Sequence, residues 1–134
     1  MKQLAAVVLI AACRHPQPTA PVATRDAAPS VYEELDAKMK PVFAAVATLE
    51  PAIAAHDCAR LATQLRQFGA DHGAELGDAE QLRDKLGPDE RDDFEKVHET
   101  DVARMAQTID AAQHACPGDK AVESALDISG FARK

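Results

Sequence analysis

Two histidines each stand three residues ahead of a carboxylate: His72 and Glu75 in "HGAE", His98 and Asp101 in "HETD". Residues three apart on a helix share a face, so each pair sets an imidazole beside a carboxylate. Such groups converging inside a helical bundle are the material of metal sites. A methionine at the same level, Met39, would favour copper or haem. The same residues equally suit a structural polar layer. In that arrangement a neutral His72 on the apolar stripe donates to Asp101, while Glu75 and His98 stay solvated at the rim. The sequence has neither a pair of Glu-x-x-His motifs nor a haem-attachment motif. The first expectation is therefore no cofactor, with a metal or haem site on His72, Glu75, His98 and Asp101 as the alternative. His15, His56 and His114 fall in an N-terminal proline-rich stretch, at a turn, and near a cysteine.

The elements that must position these pairs read as helices throughout. Ser30-x-x-Glu33 is a capping box. From Leu35 the apolar residues recur at Met39, Val42, Val46, Leu49 and Ile53, in steps of four and three. Pro41 and Pro51 should kink or locally break this first helix. Asp57 suits the N-cap of a second helix carrying Cys58, Leu61, Leu65, Phe68, His72, Leu76, Ala79, Leu82 and Leu86. Gly87-Pro88 stops that run, and Pro88 suits the first turn of a third helix whose acidic start favours the positive end of the helix dipole. The third helix holds Phe94, Val97, Val102, Met105, Ile109, Ala112 and Cys116 and ends at Pro117-Gly118. Asp119 caps a short fourth helix through about Ile128. The pattern predicts an all-α, up-and-down bundle of three longer helices and a short C-terminal one, over residues 31–134.

Leu4 to Ala12 is a run of nine uncharged residues behind Lys2. At 1.5 Å per residue it reaches only about 14 Å, against a bilayer core of roughly 30 Å. A cation, a short apolar run and small residues before a fixed point are the layout of a secretory signal. Ile10-Ala11-Ala12-Cys13 resembles the lipobox of bacterial lipoproteins: an aliphatic residue, two small ones, then cysteine. The resemblance implies cleavage after residue 12 and acylation of Cys13. It also implies a lipid-anchored protein of the bacterial cell envelope, on the outer membrane facing periplasm or exterior. Two or more acyl chains hold a protein firmly where one binds reversibly. Residues 13–30, rich in proline and alanine, then read as a tether, whose stiff stretches would span about 3.1 Å per residue.

An exported chain meets oxidising conditions, so Cys58 and Cys116 are expected to pair as a disulfide. Facing residues of an antiparallel hairpin have numbers that sum to a constant. The midpoint of Cys58 and Cys116 is residue 87, where Gly87 supplies the turn. The same register sets His72 opposite Val102 and Glu75 opposite Glu99, in one layer with Met39 or Lys40. Gly69, Gly73 and Gly77 repeat every four residues, each costing about 1 kcal/mol in a helix. They suit either a small-residue packing face or partner groove, or a place where the helix frays or bends. We take the bend or fray as the expectation, which would loosen a histidine layer.

The chain of 134 residues carries a net charge of −7, and residues 31–134 hold 12 Lys and Arg against 21 Asp and Glu. That balance argues against nucleic acid, whose phosphates require a basic face. No phosphate-binding glycine loop, GxSxG or HExxH is present, and only five aromatics occur. The expectation is not an enzyme but a lipid-anchored helical domain that acts as a binding or envelope-interaction module. Its partners would be the membrane, through the anchor, and an envelope protein. A periplasmic metal- or haem-binding bundle is the alternative.

Overall fold

The computed structural model describes residues 27–131. The expected signal, Cys13, His15 and most of the tether lie outside the described residues. Within them all regular structure is helical: α1 (Val31–Ala47), α2 (Glu50–Ala54), α3 (Cys58–Lys85), α4 (Pro88–Val97), α5 (Glu99–Ala115) and α6 (Lys120–Ser129). No helix among these residues is long and apolar enough to cross a membrane.

The caps follow from the sequence. The Glu33 N–H donates to Ser30 Oγ at 3.2 Å and the Ser30 N–H to Glu33 Oε2 at 2.8 Å, completing the capping box. Asp57 Oδ1 accepts from the Arg60 N–H, and Asp119 Oδ1 from the N–H groups of Ala121 and Val122. Gly130 takes a left-handed φ of 81° after α6, so the chain folds back and Phe131 enters the core.

Two expected helices are divided. α1 continues through Pro41 unbroken, and the interruption comes later, at Thr48 and Leu49. Pro51 then sits in the first turn of α2, where its missing N–H costs nothing. The third run stops and restarts at His98, which ends α4 and begins α5 with φ −104° and ψ 17°. In contrast to the bend or fray expected from the glycine run, α3 is one continuous helix through Gly69, Gly73 and Gly77.

Cys58 and Cys116 form the expected disulfide, with Cα atoms 5.8 Å apart. At this end α1, α2, α3, α5 and α6 bury one large core that includes Val42, Val46, Leu49, Leu61, Leu65, Phe68, Val122, Leu126 and Phe131. A smaller core of Leu35, Ala79, Leu82, Leu86 and Phe94 closes the far end beneath the α3–α4 turn. Met39 packs against both. α3 is the central element: α6 and α1 both pack along it, whereas α5 packs on α1 and α2.

Candidate functional site

The two histidine pairs hold different partners. His72 Nδ1 lies 2.8 Å from Glu75 Oε2, and its ring rests against Phe68 at 5.3 Å between centroids. His98 turns the other way, into α1. Its Nε2–H donates to Asp36 Oδ1 at 2.8 Å, while Nδ1 stands 3.8 Å from Asp101 Oδ2. The two carboxylates address opposite nitrogens of one ring, a bridging arrangement that cannot present all three groups to a single ion. Among the described residues, no three His, Cys, Asp or Glu side chains converge as a metal site requires. His56, at the α2–α3 turn, has a φ of 49° and directs Nδ1–H to the Ala115 carbonyl at 2.9 Å, beside the disulfide.

Asp36 is the partner that sequence reasoning missed. It accepts from Lys40 at 2.6 Å as well as from His98. The Lys40 hydrogen bond, with its charge and the contact from His98, holds the Asp36 carboxyl below the usual aspartate range against a desolvation cost. His98 is 7% exposed, flanked by Phe94 at 4.5 Å and Phe43 at 5.6 Å. Lower down, Arg104 of α5 forms a two-pronged pair with Glu50 of α2, at 2.6 and 2.8 Å. That guanidinium lowers the Glu50 carboxyl pKa. These ties fasten α5 to the α1–α2 side of the bundle, and one flank of α3 around Leu76 is left open.

The result is an open groove in two connected lobes of about 350 Å³ and 510 Å³. Leu76, Glu80 and Met105 line both lobes, which therefore adjoin. The upper lobe has Leu35, Met39 and Phe43 of α1 as its floor and Phe94 at its head. The lower lobe runs between Gly73 and Gly77 of α3 and Ile109 of α5, ending at Phe131. A Cβ built on Gly73 or Gly77 would meet nothing within 4 Å, whereas one on Gly69 would lie 2.6 Å from the Ile128 carbonyl oxygen. The glycine run thus has two roles: Gly69 lets α6 approach α3, and the next two keep the groove wall low.

Among the described residues three large apolar side chains stand well exposed: Val97, Val102 and Ile128. Val102 lines the upper lobe and Ile128 the lower. Among the described residues, the charged side chains that line the groove are Glu80, Arg83, Glu95 and Asp127. Arg83 is already paired with Glu95 across the mouth at 2.6 Å. Comparison of the chain with family models, with curated proteins and with solved structures finds no match.

Proposed function

We propose that this protein is a lipid-anchored lipoprotein of the bacterial envelope whose helical domain is a binding module, and that the α3–α5 groove is where it binds. The observation that carries this reading is the half-buried apolar pair Leu76 and Met105, which lines both lobes, with exposed Val102 on the upper lobe and exposed Ile128 on the lower. Scattered exposed apolar residues need no explanation, but a contiguous set within a concave wall marks an interaction surface. The charged groups among the described residues that line the groove are three carboxylates and one committed guanidinium, which suit a recognition rim. The lipobox-like Ile10-Ala11-Ala12-Cys13 supports the anchor and the envelope location.

Two measurements test the reading together. A photoactivatable side chain at Val102 of the full chain in intact cells should capture one envelope protein, and the same group at solvent-facing Glu123 should not. Labelled fatty acid should enter the protein and be lost on Cys13→Ser. Equal capture from both positions, or no acylation, contradicts the proposal. Stoichiometric metal or a haem absorption band in the exported protein would instead support the metal- or haem-carrier alternative, to which the two histidine pairs lend no three-donor site.

A further inference from the structure

The chemistry of the groove narrows the class of its occupant, an inference that rests on the binding-module reading above. Along α3 the open wall runs from Gly73 to Arg83, roughly 15 Å at the helical rise, or about three turns. A channel of that length with an apolar floor and polar edges matches the helix-in-groove mode of recognition. In that mode an amphipathic helix seats side chains at every third or fourth position. The two lobes give such anchors two places to enter, divided at Leu76 and Met105. The glycine wall allows a second backbone to come close, as α6 already does at Gly69.

The edges select by charge. Glu80 stands where the lobes join and Asp127 at the lower end, and the one cation among the described residues lining the groove, Arg83, is neutralised by Glu95. An arriving helix is therefore met by unneutralised negative charge on a chain of net charge −7. A second copy would bring the same charge and be repelled. A fatty acid or anionic phospholipid would have to set its own negative head among carboxylates. A helix with lysine or arginine flanking its apolar face meets the opposite situation. We propose that the α3–α5 groove is a docking site for a cationic amphipathic helix of a partner protein.

The test uses the full-length chain and a dye-labelled synthetic helix with leucines along one face and lysines beside them. Two companions are needed: the same helix with glutamate in place of lysine, and one of equal composition in scrambled order. Fluorescence anisotropy should show saturable binding of the lysine helix that weakens as salt is raised, because rim charges are screened. Glu80→Lys should weaken binding by about tenfold or more. Gly77→Leu, which fills the open wall while improving helix propensity, should weaken it by at least as much and leave thermal stability intact or raised.

Equal affinity for the glutamate helix would overturn the cationic assignment and leave the groove as a binding site. Unchanged affinity in Gly77→Leu would overturn the groove itself. Failure of all three helices, with a specific adduct still formed from Val102 in cells, would assign the groove to another class of partner. A concentration-dependent dimer abolished by Gly77→Leu would overturn the proposal in favour of a second copy.

Discussion

The two halves of α3 carry the same apolar stripe and meet different fates. In the first half Leu61, Leu65 and Phe68 are buried under α6 on one side and α1 on the other. Burying a leucine or phenylalanine stabilises by about 1.5–3 kcal/mol each, so this half supplies much of the large core. In the second half Leu76 is only partly buried, although Ala79, Leu82 and Leu86 beyond it are enclosed again. The difference arises outside α3. α6 is ten residues long and ends against Gly69, and α5 is drawn toward α1 and α2 by His98–Asp36 and Arg104–Glu50. A uniform stripe on one helix is thus compatible with a closed end and an open middle, depending on where its neighbours stop.

The largest test of that contrast is the disulfide at the closed end. With a sequence separation of 58, the bridge should contribute about 4 kcal/mol in the chain-entropy model. Urea unfolding of Cys58→Ser/Cys116→Ser should show that loss; an unchanged midpoint would mean the closed end is held by packing alone. Next come paired truncations along one stripe. Leu65→Ala should cost about 3 kcal/mol, within the usual range for a fully buried leucine. Leu76→Ala should cost about 1 kcal/mol, since water already reaches it. Similar losses at the two sites would erase the distinction between the halves.

The glycines sharpen it with opposite signs. Gly69→Ala pushes a methyl group into the backbone of α6 and should destabilise by about 2 kcal/mol. Gly77→Ala meets open space and should stabilise by about 0.5–1 kcal/mol through helix propensity. Thermal unfolding of both variants reads the two signs directly.

The smallest effect concerns pH. Asp36 has its carboxyl pKa held down by Lys40 and His98, so its folded value lies below its unfolded one. Such a group stabilises above the unfolded value of about 3.9, and the contribution fades as pH falls through the folded value. Asp36→Asn should therefore be less stable than the parent at neutral pH, with the gap shrinking toward zero in acid. A gap that widens in acid would contradict the assignment of Asp36 as a carboxylate tie.

How much of this was legible varies with the range of the interaction. Helix caps at Ser30, Asp57 and Asp119 are local, and each was readable from a few consecutive residues. The disulfide was readable because the expectation of export and the Gly87 turn point to the same pair. The break at His98 has a signal in the sequence: the apolar spacing jumps by five from Val97 to Val102, too wide for one helical face. Val97 is accordingly exposed. The partnership of His98 with Asp36 was not readable, because it depends on how α1 lies against α4 and α5. Extending the register sum from the cysteines assumed that α3 and α5 face each other along their whole length. They are joined at the disulfide and pack little against each other beyond it, which leaves the groove between them.

The most direct test is methyl NMR of the full-length chain during titration with the lysine-bearing helix. Resonances of Leu76, Val102 and Met105 should shift and saturate together, while Leu61, Leu65 and Val122 stay in place. Shifts centred on the disulfide-closed end, or none at saturating peptide, would contradict a receptive groove between α3 and α5.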